Sequence, residues 1–248
     1  MARVFNVSGR LIDHGSAASL DDLPVSGILA VWAWIWRLAD GTNQHIITKR
    51  NAQGWVLSVV TATGEGALRL VVERNTTDTN YISNTGIVAL NTWTFVGAYF
   101  NDAATPKIKL FWGTPSTDVA EVGSYTTSDA GSGSVKADAA SNLYVGNIQV
   151  ATTLPFLGMI QRGGVIQPAS TPDATYFEAL RVATATSVLN VAGTKLLFDY
   201  QDGDLSDRSG NGNNGTATGA TTNELLAKLN QAGLSGGIRV IHGPQYVT

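Results

Sequence analysis

The sequence predicts an all-β sandwich or barrel, and three observations carry that expectation. Short segments rich in β-branched and aromatic residues follow one another from residue 26 to about residue 168. Within them apolar residues recur with period two, as strands require. Between them stand clusters of Gly, Asn, Asp and Pro, such as Asp40-Gly41, Asn51-Ala-Gln-Gly54 and Ala130-Gly-Ser-Gly-Ser134, which tolerate φ > 0 or bond their own backbone. A chain of 248 residues is long enough for one large sandwich with an appendage, because such folds reach roughly 200–250 residues as a single unit.

Taken in order, the strands fall at 28–38, 45–49, 54–61, 67–74, 81–83, 92–100, 107–112, 143–148 and 158–167. The turns between them are short, so antiparallel connection is expected in place of crossover helices. After the last of these strands, Thr171-Pro172-Asp173 reads as an N-cap, a proline at the first helical position and an acidic residue behind it, which predicts a helix over 172–183. Residues 195–200 read as a further strand, and 202–219 as a Gly-, Asn-, Asp- and Thr-rich loop. Thr221-Thr-Asn-Glu224 has capping-box spacing and leads into Leu225, Leu226 and Leu229, with Gly233 placed to stop a second short helix. An extended tail, 234–248, follows.

Composition excludes several chemistries. With no cysteine there is no disulfide framework, thiolate zinc site or cysteine nucleophile. The formal net charge is -3 and no basic run occurs, so nothing supplies the electrostatic footprint of a nucleic-acid binder. The longest apolar stretch, from Ile28 through Trp36, falls far short of the ~20 residues that span a bilayer, and no membrane partner is expected. The first ten residues break at Asn6, Ser8 and Gly9 before any long apolar run, which reads as a chain made and folded in a cytoplasm. Glu65, Glu73, Glu121, Glu178 and Glu224 lie far apart in sequence. The closely spaced carboxylates of a retaining glycosidase strand are therefore missing, and the chain is expected not to be an enzyme.

Four stretches belong together: Phe5 to Gly15 with the Trp32-Ala-Trp-Ile-Trp36 strand, Ile46 to Val59 with Lys49 and Gly54-Trp55, Trp93 to Tyr99 with Lys107 to Gly113, and Leu143 to Asn147 with Phe156 to Ile160. In this order they resemble the laminin-G-like, or concanavalin-A-like, jelly roll. The resemblance implies a two-sheet antiparallel jelly-roll sandwich with short C-terminal helices. A fifth stretch, Leu197 to Gly215, is similar to an acidic box that in many such domains precedes the first strand, whereas here it comes last. The expected organisation is a jelly roll over 1–223, including this displaced strand and box at 195–219, and a helix and tail over 224–248.

Two sets of site residues stand out. Asp202, Asp204, Asp207, Asn211 and Asn213 offer hard oxygen ligands suited to Ca2+, although the EF-hand register fails, with Asp207 where Gly is required and Asn213 where Glu is required. An Asx-rich turn that satisfies its own backbone is the competing reading. Trp32, Trp34 and Trp36 alternate and so share one face of a strand; Trp32 and Trp36 could stack on sugar rings, or the row could fill a core or an interface. The resemblance further implies a bacteriophage virion component, a capsid decoration or head fibre protein that docks on the particle through its termini as a homo-oligomer. Its alternative is a carbohydrate-binding module of a tail or cell-surface system, with glycans as ligands and calcium as an aid.

Overall fold

A computed structural model describes residues 2–5, 9–41, 43–51, 53–61, 66–148, 154–183, 191–200, 203–219 and 221–222. In chain order these form β1 (Arg3–Phe5), β2 (Leu11–Asp13), α1 (Leu23–Ser26), β3 (Leu29–Arg37), β4 (Gln44–Arg50), β5 (Gly54–Val60), β6 (Ala67–Val72) and β7 (Thr79–Ser83). Next come β8 (Trp93–Phe100), β9 (Ile108–Thr114), β10 (Thr117–Glu121), β11 (Tyr125–Asp129), β12 (Leu143–Val145) and β13 (Gly158–Ile166). The last are α2 (Ala174–Val182), β14 (Thr194–Asp199), β15 (Thr216–Thr218) and β16 (Thr221–Thr222).

These strands make two antiparallel sheets, and the protein is a jelly-roll sandwich. The first sheet runs β10-β9-β8-β3-β13-β1-β16, with β14 also paired to β13; the second runs β11-β7-β6-β5-β4-β12-β2-β15. One edge of β13 is shared lengthwise. Residues 158–160 pair with β1 and residues 162–166 with β14, so the start and the end of the chain complete the same sheet. The expected strand at 195–200 thus lies beside β13 of its own chain.

The core follows from the period-two pattern. Leu29, Val31, Ala33 and Ile35 of β3 pack with Trp55, Leu57 and Val59 of β5, Leu68, Leu70 and Val72 of β6, and Phe198 of β14. The alternate residues of β3, namely Ala30, Trp32 and Trp34, point out of the sandwich into a second apolar layer with Phe95, Phe111, Phe177 and Leu180. Helix α2 closes that layer over the first sheet, with the Phe177 ring stacked on Phe111 at 4.5 Å between centroids. Gly97 makes the approach possible, because a Cβ there would lie 2.5 Å from the Phe177 ring.

Some elements differ from expectation. Asp173, not Thr171, caps α2, its carboxylate accepting from the Tyr176 N–H at 2.9 Å. Strands β10 and β11 are Thr- and Ser-bearing and mostly exposed, so they lack the apolar alternation that marks a strand in sequence. β15 lies within the expected loop and pairs with β2. Thr221 and Thr222, expected to open a helix, instead pair with Val4 and Arg3 as β16; β-branched residues suit the pairing edge that β1 offers. The rest of that expected helix and the tail, 223–248, lie outside the described residues.

Candidate functional site

The first sheet is covered on its outer side by α2, whereas the outer side of the second sheet carries polar and charged groups at positions fixed by register. One row across it reads His45, Ser58, Arg69 and Ile82. The next reads Asp13, Tyr144, Thr48, Val56, Val71, Asn80 and Asp129. A third joins Arg50, opposite Gly54, to Glu73, whose N–H donates to the Gly54 carbonyl at 2.8 Å. A bulge between His45 and Ile47 keeps His45 on this outer side while Ile46 and Ile47 both enter the core.

Val56 and Val71, 3% and 4% exposed, form an apolar floor in the middle row. Arg69 and Arg50 rise on either side of it from the flanking rows. The Arg69 Nε donates to Asn80 Oδ1 at 2.9 Å. The Arg50 Nε pairs with Glu73 Oε1 at 2.5 Å, while Lys136 stands 4.0 Å from the other Glu73 oxygen. Burial holds the Glu73 carboxyl above its usual range in spite of Arg50. The two guanidiniums are near enough that Arg50 adds to the effect of burial in lowering the proton affinity of Arg69.

His45 is 5% exposed, and its Nδ1 has no hydrogen-bond partner among the described residues. Burial, with Arg50 and Arg69 nearby, pushes its pKa down from 6.5 to about 4, so the imidazole is neutral at neutral pH. A base whose folded pKa is lowered contributes stability that is complete above its unfolded pKa and is lost as pH falls toward the folded value. For His45 that window runs from about 6.5 down to about 4 and is worth about 3 kcal/mol. The buried His14 acts in the same direction, and the raised carboxyls of Glu73 and Asp138 act in the opposite one. Urea unfolding at pH 7 and pH 4.5 should therefore show a smaller loss of stability on acidification in His45→Gln than in the parent protein. An identical loss in both would contradict the assignment.

The sequence-predicted site residues fall elsewhere. Trp32 is wholly buried, stacked on Phe95 at 5.8 Å with Arg162 over its ring at 5.9 Å. Its ring is not open to a sugar, because it lies inside the apolar layer with Phe95, Phe177 and Leu197. Trp36 is half-buried and meets Trp93 edge to face at 5.8 Å, beside Met159 on β13.

The acidic box has a structural role. The Asp207 carboxylate accepts from the N–H groups of Leu197, Ser209 and Asn213 and from the Ser209 hydroxyl, at 2.8–3.1 Å. Asp204 accepts from the Ser206 N–H and hydroxyl. Asn211 and Asn213 donate to the Lys195 carbonyl at 3.1 and 2.8 Å, and Asp202 lies outside the described residues. Both Asp207 carboxylate oxygens accept from local donors, which clamps the turn to β14. Among the described residues no group of three or more His, Asp or Glu side chains is placed to hold a metal ion. His14 completes the clamp. Its Nδ1 donates to the Asn213 carbonyl at 2.7 Å and its Nε2 accepts from the Tyr200 hydroxyl at 3.0 Å, a tautomer assigned from these partners.

Sequence reasoning did not bring forward His45, Arg50 or Arg69. Their signal was present in weak form: polar and basic residues standing at outward positions of strands that are otherwise apolar.

No family model matches the chain, and no curated protein matches it. Among solved structures, a Bacteroides ovatus protein provisionally described as carbohydrate-binding is similar with a TM-score of 0.60 and 16% identity, over 89% of this chain and 59% of its own. Laminin α1 domains LG4-5 of mouse (TM-score 0.43, 13% identity, 66% of this chain and 41% of theirs) and the CBM40 of the Ruminococcus gnavus IT-sialidase (0.42, 14%, 73% and 96%) are also similar. This chain spans about three-fifths of the Bacteroides protein that it matches. At these identities the likeness is one of fold, and that fold is the jelly-roll sandwich described above.

Proposed function

We propose that the protein is a non-catalytic binding module that takes glycans on the outer face of its second sheet. The observation that carries this reading is the group of Arg50, Arg69 and Asn80 gathered over the buried Val56 and Val71 row, since sugars present hydroxyls that pair with charged and amide groups. The provisional carbohydrate-binding description of the Bacteroides protein, which shares the fold, supports the same reading. Among the described glutamates, Glu121 is paired with Lys109 and Glu178 with Arg181 and the Val119 N–H, while Glu73 lies on the other sheet beside Arg50; this dispersal supports a binding role over hydrolysis. Docking on a bacteriophage particle through the termini draws on no feature of the described residues, and the glycan reading is preferred.

A glycan array tests it. Retention of glycans by the parent protein is expected, with loss in Arg50→Ala/Asn80→Ala and full retention in Trp36→Ala. Loss in Trp36→Ala alone would move the site to the first sheet, and no retention by the parent protein would overturn the reading.

A further inference from the structure

We propose that the glycans taken by this face are acidic, their carboxylate or sulfate group seated between the Arg69 and Arg50 guanidiniums beside His45. This rests on the second-sheet reading above and names the class of ligand within it.

The two guanidiniums are not equally satisfied. Arg50 has a carboxylate, Glu73, at 2.5 Å. Arg69 is held through its Nε to the neutral carboxamide of Asn80, and Asp78 acts on it from farther away. Its two terminal nitrogens therefore have no hydrogen-bond partner among the described residues, and a guanidinium presents a planar fork that matches a carboxylate or sulfate with two parallel bonds.

His45 supplies the independent observation: a buried imidazole whose Nδ1 has no partner among the described residues, one residue away from Arg69 along the row through the small Ser58. A buried polar atom without a partner is costly, and an anionic oxygen accepting its N–H would remove that cost. The side chains between the two guanidiniums are apolar or neutral at Val56, Val71, Thr48 and Ser58, and the carboxylates that border them are Glu73, paired with Arg50, and Asp129, opposite Asn80.

The experiment has two arms. An array holding neutral, uronic-acid, sialylated and sulfated glycans identifies the retained class and separates carboxylate from sulfate. Calorimetric titration with tetragalacturonate and with its methyl ester then isolates the charge, since esterification neutralises the carboxylates and leaves the sugar chain unchanged. Retention concentrated in the acidic members is expected, with the free acid bound at least tenfold more tightly than the ester. Arg69→Gln should lower affinity for the acidic ligand about tenfold while a thermal melt shows the variant folded, and Arg50→Gln provides a second variant at the other side of the floor. Equal affinity for acid and ester, retention of neutral glycans only, or unchanged acidic binding in both variants would overturn the acidic assignment and leave the glycan-binding surface standing. No retention of any glycan would overturn both.

Discussion

Ending the chain at residue 193 is expected to yield a protein that does not fold, or that melts far below the full chain. The deletion removes Leu196, Leu197, Phe198 and Tyr200, all fully buried, with the Phe198 ring stacked on Tyr200 at 4.7 Å and on His14 at 5.9 Å. At roughly 1.5–3 kcal/mol for each fully buried Leu or Phe, the two leucines and Phe198 alone contribute on the order of 5–9 kcal/mol. That is comparable with the whole stability of a typical domain, about 5–15 kcal/mol. The deletion also leaves residues 162–166 of β13 without their β14 partner and removes β15 from the edge of β2, exposing two unpaired edges. Thermal melts with light scattering on the full and shortened chains check this, and an unchanged melting temperature in a monomeric shortened chain would contradict it.

Lys49→Ala should cost about 3–5 kcal/mol, the loss that follows when one partner of a buried ion pair is removed. The Lys49 ammonium is wholly buried at the end of β4. It donates to Asp21 Oδ1 at 2.8 Å and to the carbonyls of Ser141 and Asp138 at 2.6 and 3.1 Å, with Asp138 Oδ1 at 3.4 Å. Asp138 is itself buried and exchanges hydrogen bonds with Asp22, each carboxylate accepting from the other residue's N–H at 2.8 and 2.6 Å. Burial raises the Asp138 carboxyl against the pull of Lys49. One positive charge therefore ties the segment before α1, the turn before β12 and the end of β4 into one unit. Denaturant unfolding should show a lower midpoint at unchanged slope, and Lys49→Met/Asp138→Asn should recover part of the loss because the uncompensated charge is gone. A change under about 1 kcal/mol in Lys49→Ala would contradict the assignment, since that is the range of an exposed pair.

The strands that could be read from sequence are those whose two faces differ. In β3 and β8 the pattern showed the elements and, for Trp32, Trp34 and Trp36, their common face. What lay over that face could not be read, because it depends on α2 folding back across the sheet onto Gly97 and Phe111, a contact between residues far apart in sequence. The acidic box attracted attention for its residue types, yet Asp207 is surrounded by N–H donors from Leu197, Ser209 and Asn213, and only geometry distinguishes such a turn from a cation site. The second-sheet surface was hidden for a related reason. His45, Arg50 and Arg69 belong to two different strands, neither adjacent to the other, and they face one another only through the register of β4, β5 and β6. Strand β5 in particular reads as an apolar run with Ser58 as its sole polar residue, which conceals its place at the centre of that surface.

The most direct test of the binding surface is amide chemical-shift mapping of the isotope-labelled protein titrated with a glycan retained on the array. The largest shifts are expected at Ser58, Arg69, Val71 and Asn80, with Arg50 and Tyr144 at the margin, and little change around Trp36 and Trp93 on the opposite sheet. Shifts concentrated around Trp36, Trp93 and Met159, with β5 and β6 unmoved, would contradict the second-sheet site.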